Sequence, residues 1–472
     1  MANTYKTPGV YVEEISKFPP SVADVPTAIP AFIGYTAYAK ETNVPIRISS
    51  LLEYELLFGG GAAISVESKP AKKEGDTTPP VITVKNGEFV LYDSIRLFYD
   101  NGGGICYIVS IGTYDSGAKS TDEFKKAITA LEKTDEVTLI LFPDAATCLK
   151  DAAALATVQQ QALMHCLKMG DRFSILDVRH DAELQKDVQA FRNNIGVNGL
   201  YYGAAYYPYL ETTYTKSIAF MDVYRYTSEF KDLTDTSLKS EIKKLADATK
   251  KDEEWQLKID ALIPTIPGYD KILKELNTKL NTIPPSGAIA GVISMVDSNK
   301  GIWHSPANVS ISSISGVSTF ITDDEQENLN VDSEAGKSIN AIRSFSGKGI
   351  LVWGARTLLG NDNEWRYISV RRLFNYIEES VKKSTAWAVF SPNDANTWIK
   401  IKSQIENFLN NLWRQGALAG SKAESAYYVA VGLNTTMTAQ DILEGKLIIE
   451  IGLAAVRPAE FIILRFSHKL QE

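Results

Sequence analysis

Asp144, Asp177 and His180 are the residues of this chain best placed for chemistry. Both aspartates stand at or just past the ends of strand-like apolar runs, residues 137–142 and 173–178. Open α/β sheets bind ligands beyond the C-terminal ends of their strands, and a carboxylate with an imidazole close behind could move protons there. Ser174 adds a nucleophile nearby. Neighbours along a strand point to opposite faces, however, so Ser174, Asp177 and His180 cannot converge as nucleophile, orienting acid and base. Acidic loop starts are the simpler reading.

Gly336-Lys337-Ser338 has the ending of a phosphate-binding loop. Such a loop needs a glycine five residues before its second one, so that consecutive N–H groups curl around a phosphate; Val331 stands there, and the acidic run 323–327 would repel a nucleotide. Glycines 59–61 and 102–104 close helix-like segments instead of opening one after a strand, which leaves no helix N-terminus for an anion. His165, His180, His304 and His468 are widely separated, and His165 neighbours Cys166 on a helix where adjacent residues diverge, so no metal-ligand spacing exists. Cys106, Cys148 and Cys166 lie in apolar segments and read as reduced core residues. Asn308 and Asn434 match glycosylation acceptors that no signal peptide would bring to the machinery. No catalytic, cofactor-binding or metal residue is assigned, no cofactor is expected, and Asp144, Asp177 and Lys337 are expected to be dispensable for function.

The elements that would position these residues follow from periodicity. Between residues 105 and 206 strand-like runs alternate with helical ones, which predicts parallel strands joined by crossover helices in an α/β layer. Residues 211–282 are charged and helical, with Leu238, Ile242 and Leu245, then Trp255, Ile259 and Leu262, on one face; they read as a helical insertion projecting outward, or as a long solvated connector. In residues 349–383 a buried-looking strand runs into a loop and then a helix. Its apolar stripe is Val370, Phe374, Ile377 and Val381, while Arg371, Arg372, Asn375 and Glu378 fall elsewhere on the wheel, as in a surface helix. A second amphipathic helix carries Trp398, Ile401, Ile405, Phe408 and Leu412, with Asn393 or Asp394 to cap its start and Gly416 its end. The last run alternates Ile462, Leu464 and Phe466 against Arg465 and Ser467, the pattern of a strand in need of a sheet.

The 472 residues suffice for several domains, and 44% apolar with 22% charged residues is ordinary for a globular protein. A net charge of −8 without a basic tract gives no footprint for nucleic acid. Apolar runs are too short or too interrupted by charge for direct membrane insertion. The first residues, MANTYKTPGV, have neither a basic start nor an apolar stretch, which predicts no secretory signal and folding in the cytoplasm.

Several motifs resemble one family. WGARTL followed by RYISVRRLFNYIEESV is similar to the signature of contractile tail sheath proteins of phages and phage-like injection particles, with an antifeeding-prophage flavour. TPGVYVEEI, TAIPAFIGYT, NGGGICYIV, PPSGAIAGVISMVD, SPANV and RPAEFIILRF continue the likeness in order from the first residues to the last. The resemblance implies a multidomain subunit of α/β and α+β class. Residues 1–25 would be a linking arm, 26–210 and 283–339 an outer α/β domain, 211–282 its insertion, and 340–472 a mixed-sheet inner domain ending in a linking strand. It implies hexameric rings of this chain stacked into a helical sleeve around an inner tube protein, with baseplate and cap proteins at the ends, in a tail-like particle that is released or retained. Val10, Tyr11, Val12 and Ile15, with Ile462, Leu464 and Phe466, would link neighbours. Arg371, Arg372, Lys400 and Lys402 would face the tube, unless the two arginines brace the fold internally. The competing reading is an α/β enzyme of unidentified substrate, which would stay a small closed oligomer.

Overall fold

The computed structural model describes residues 22–69, 81–117, 119–181, 183–216, 218–226, 236–246, 253–266 and 268–463. Its strands are β1 (Pro30–Thr36), β2 (Pro45–Ile48), β3 (Ser65–Lys69), β4 (Val81–Lys85), β5 (Cys106–Thr113), β6 (Leu139–Leu141), β7 (Phe173–Asp177) and β8 (Gly203–Tyr207). They continue with β9 (Leu210–Thr212), β10 (Thr282–Ile283), β11 (Val309–Ser310), β12 (Ile314–Val317), β13 (Ile339–Phe345), β14 (Gly349–Val352), β15 (Tyr427–Val431) and β16 (Ile449–Leu453). Internal contacts divide the described residues into two units, 26–375 with 457–463, and 22–25 with 376–456.

The larger unit is built on one mixed sheet in the order β11-β14-β13-β8-β7-β6-β1-β5-β2. From β13 to β5 neighbours run parallel, and β14, β11 and β2 complete the edges antiparallel. Every residue of β1, β6, β7 and β8 is buried, as expected where helices cover both faces and strands read as unbroken apolar runs. Alternation sorts side chains between two cores. Ala31, Ile33 and Tyr35 join one with Phe124, Leu163 and Phe191, while Phe32 joins the other with Ile95, Phe98 and Ile289. In that second layer the helices Leu91–Asp100 and Ser286–Lys300 pack backbone to backbone. A Cβ on Gly287 would overlap the Ser94 carbonyl, and one on Gly291 would lie 2.5 Å from the Phe98 oxygen, so only glycine allows this approach. The alternation expected for residues 105–206 is what the sheet shows. The boundary expected at residue 340 falls instead at 375/376, because β13 pairs in parallel with β8.

The described residues between 218 and 280 form helices around a core in which Ile242, Leu245, Ile259, Leu262, Leu276 and Leu280 are buried together, with Ile64 and Val84 packed against it. The segment leaves and returns through paired strands, Leu210 opposite Ile283, and the Asn281 amide donates to the Tyr214 carbonyl at the neck. Replacing residues 215–280 by a short glycine linker should therefore leave a soluble chain whose melting temperature shifts by only a few degrees. Aggregation of that variant on expression would show that the insertion supports the main core.

In the smaller unit Asp394 caps the Ala395–Arg414 helix by accepting from the Thr397 N–H at 2.9 Å, while Asn393 accepts from the Trp398 indole. Ile401, Ile405, Phe408 and Leu412 are buried as their spacing predicts. β15 and β16 form a two-stranded antiparallel ribbon, from Tyr427 opposite Leu453 to Val431 opposite Ile449. Among the described residues no further strand pairs with either outer edge of this ribbon.

Candidate functional site

The residues best placed for chemistry are structural clamps. Asp144 is fully buried and accepts three backbone N–H bonds at 2.8 Å each, from Tyr35 at the end of β1 and from Val90 and Leu91 at the start of the Leu91–Asp100 helix. Burial pushes its pKa up to about 7 against the pull of those donors. Asp177 ends β7 and accepts from the Ser286 N–H at 2.9 Å and hydroxyl at 2.6 Å, fastening the start of the Ser286–Lys300 helix; burial raises it to about 7 as well. Each carboxylate thus holds the positive end of one of the two tightly packed helices. Both carboxylates matter for stability, because removing either strands buried donors.

The remaining candidates do not assemble. Ser174 donates to the Ile140 carbonyl inside the sheet, and His180 sits 3.3 Å from Asp187 and from the Tyr207 hydroxyl. Lys337 donates its ammonium to the Arg192 carbonyl at 2.6 Å. The N–H groups of Glu334, Ala335 and Lys337, which a phosphate would need, donate to the Asp332 carboxylate. The loop carries its own anion.

Two of the basic residues assigned to a partner surface are interior. Arg372 pairs bidentately with Asp297 at 3.0 and 2.6 Å and donates to the Thr27 carbonyl; the two side chains are 3% and 4% exposed. Arg371 stacks 4.2 Å from the centre of the Trp365 ring and donates to Asn375. The surface-helix expectation fails for the same reason: from Ile368 to Asn375 only Phe374 is even half-exposed, the others being buried. A polar position on the wheel is exposed only if no buried partner faces it, and here Asp297 does. Arg371 and Arg372 therefore brace the fold. Lys400 is exposed, and Lys402 is half-buried 3.7 Å from Glu406.

A clamp that the sequence reading missed lies where two motifs meet. Arg356, from WGARTL, grips Glu460, from RPAEFIILRF, through bonds of 2.9 and 2.7 Å. The Asn330 amide and the Tyr367 hydroxyl also donate to that carboxylate, at 2.7 and 3.0 Å. Arg356 in turn donates to the Asn330 and Gly360 carbonyls, so nearly all its fork is used. Partial burial raises the Glu460 pKa, but the Arg356 and Asn330 bonds outweigh it and hold the group below the usual range. The lone charge of WGARTL and the lone acid of RPAEFIILRF were the available signal. Immediately beyond, Phe461, Ile462 and Ile463 are 70%, 80% and 77% exposed, with no regular secondary structure. Of the linking residues, Val10, Tyr11, Val12, Ile15, Leu464 and Phe466 lie outside the described residues. A cleft of about 590 Å³ runs beside the clamp; its Arg343 is engaged by Asp323 and Gln326.

Comparison with known proteins follows the same geography. Residues 117–358 match the phage tail sheath protein central domain, and residues 360–469 the phage tail sheath C-terminal domain. The tail sheath protein of Vibrio phage KVP40 is 29% identical over 150 residues, 32% of this chain and 22% of that protein. The tail sheath protein of Burkholderia phage BcepMu is 30% identical over 145 residues, 30% of each. The chain thus spans less than a third of the length of these two relatives. Among solved structures, the sheath of the PVC extracellular contractile injection system in its contracted state superposes with a TM-score of 0.65 at 29% identity, covering 99% of both chains. The contracted helical sheath of the anti-feeding prophage gives 0.63 at 30% identity, covering 99% of this chain and all of that one.

Proposed function

Because this chain belongs to the phage tail sheath family, we propose that it is a structural subunit of a contractile sheath, a part of a phage tail-like particle that does mechanical work and no catalysis. The observation that carries this reading is the end-to-end likeness to two contracted sheaths, joined to a local one. A bidentate clamp fixes Glu460, and the next three residues are apolar and exposed. Exposed apolar residues at an anchored chain end call for a partner.

Each subunit lends its N-terminal residues, Val10, Tyr11, Val12 and Ile15 among them, and its C-terminal run, Ile462, Leu464 and Phe466, to neighbouring copies. The acceptor is the β15–β16 ribbon. Two strands alone are marginal, and open edges accept added strands. Main-chain bonds contribute about 0.5–1.5 kcal/mol each, which makes several of them a durable tether. The arms hold while the bodies turn. Six copies form a ring, rings stack around an inner tube protein, and baseplate and cap proteins close the ends. Assembly takes place in the bacterial cytoplasm from an extended, metastable state whose collapse drives the tube through an envelope. Subunits whose contacts each improve by about 1 kcal/mol, the scale of one good hydrogen bond, store ample work over a whole sleeve without a nucleotide.

Negative-stain electron microscopy of the purified, concentrated chain tests the reading. Tubes of uniform width are expected, and a small closed oligomer would favour the enzyme reading. The smaller unit grips the tube, with Lys400 and Lys402 as its contacts. Reversing both to Glu should strip tubes from sleeves at low salt and leave sleeve formation unchanged, because rim charges act through screened attraction. Unchanged tube retention in co-purification at low salt would place the grip on other residues.

A further inference from the structure

The Leu51–Phe58 helix is apolar on two sides. Tyr54 and Phe58, four apart, are buried in the core shared with Phe32 and Ile108. Leu52 and Leu56, also four apart, are 66% and 76% exposed, with exposed Glu55 beside them on the same side. The helix ends at Gly59, whose φ of +82° and whose neighbours exclude a side chain: a Cβ there would lie 2.6 Å from that of Ala37 and 3.1 Å from the Tyr38 ring. Tyr38, itself 62% exposed, lies against the helix end, and the leucine pair forms an exposed apolar patch on the helix. Nothing in the fold of this unit requires leucine at positions 52 and 56, since neither contributes to the core.

This patch stands beside β2, one edge of the nine-stranded sheet. At the other edge a cleft of about 430 Å³ opens between β12 and β14, lined by Ile311, Ile314, Val317 and Ile350, with exposed Lys348 among them. Both features belong to the same covered face, because the core that buries Tyr54 and Phe58 also includes Ile311 and packs Ile314, Val317 and Ile350 against it. With strands spaced about 4.8 Å apart, the two edges are roughly 38 Å distant, so patch and cleft cannot meet within one molecule. They match each other: leucines with an acid on one, isoleucines with a lysine on the other.

We infer that the Leu52–Leu56 face of one copy docks in the Ile314–Ile350 cleft of a second copy. Joining opposite edges of identical subunits is a heterologous contact, which propagates into rings or helical arrays and does not stop at a pair. The patch is small beside the roughly 1,000 Å² that a stable interface buries, so free subunits stay apart and the contact forms only between copies already tethered. The inference rests on the sheath reading, names the surface that sets the spacing of bodies, and adds to the arm exchange.

Cysteine cross-linking tests it. Leu56→Cys and Ser315→Cys are both exposed substitutions, the second lining the cleft. Tubes of the chain carrying both should give a ladder of covalent multimers after mild oxidation, and tubes carrying either one alone should give no more than the unsubstituted chain. A charge exchange adds specificity: Glu55→Lys and Lys348→Glu should each shorten tubes several-fold, and together restore them. A doubly substituted tube without a ladder would overturn the inference, as would dimers from Leu56→Cys alone, which would mean helix against helix. Failure of the unsubstituted chain to form tubes would sink the sheath reading, and this contact with it.

Discussion

Asp144→Ala should be the most damaging single substitution in the larger unit. It leaves the N–H groups of Tyr35, Val90 and Leu91 buried with no acceptor, at about 1–3 kcal/mol each, against a total stability on the order of 5–15 kcal/mol for a domain. Inclusion bodies, or a melting temperature lowered by well over 10 °C, are expected; a shift of only a few degrees would mean that water or a rearranged loop satisfies those donors. Asp177→Ala should act in the same direction and less strongly, since the Ser286 hydroxyl can turn elsewhere.

The same carboxylates give the larger unit a pH signature. Their folded values of about 7 lie above the ordinary 3.8, so folding takes up protons at both sites. Their contribution is full below the unfolded value and is lost as pH rises through about 7. His165 works the other way: burial, with Arg172 beside it, lowers it to about 4, so its contribution is lost as pH falls from its ordinary 6.5 towards that value. Between pH 6.5 and 8 the aspartates dominate. Denaturation midpoints should fall over that range, and Asp177→Asn should flatten the fall. A variant with an unchanged slope would show that Asp177 stays ionised throughout.

Arg356→Ala should have the largest effect on assembly. It leaves the Glu460 carboxylate partly buried with its main partner gone, and breaking a buried ion pair from one side costs about 3–5 kcal/mol. The cost falls on the stem. Amide exchange in residues 457–463 should accelerate by orders of magnitude while β6, β7 and β8 keep their protection, and regular tubes should be lost. The double variant Arg356→Ala/Glu460→Ala should exchange less fast than the single one, because no unpaired charge remains. Normal tubes from Arg356→Ala would mean that the arm holds without its anchor.

The sequence carries the α/β layer well, because β1, β6, β7 and β8 are apolar along their whole length and their crossover helices show clear periodicity. Position relative to the sheet was legible too: Asp144 and Asp177 do lie at strand ends. Their role was not, since a carboxylate that caps a helix from 54 or 109 residues away has the same local context as one that binds a ligand. Spacing alone leaves Arg371 and Arg372 open between a partner surface and an internal brace, because a helical wheel says nothing of Asp297, 75 residues earlier, or of the Trp365 ring. Glu460 escaped notice for a similar reason, its partner standing 104 residues away. Long-range pairing of charges is the information that local periodicity leaves out.

We propose that anchored terminal arms tie copies of this chain into a sleeve. The most direct measurement is negative-stain electron microscopy of the chain ended after Phe461, beside the full chain at equal concentration. The truncated chain should be soluble, melt like the parent and form no tubes while the parent does. Regular tubes of parental width from the truncated chain would show that the C-terminal arm does not tie the copies together.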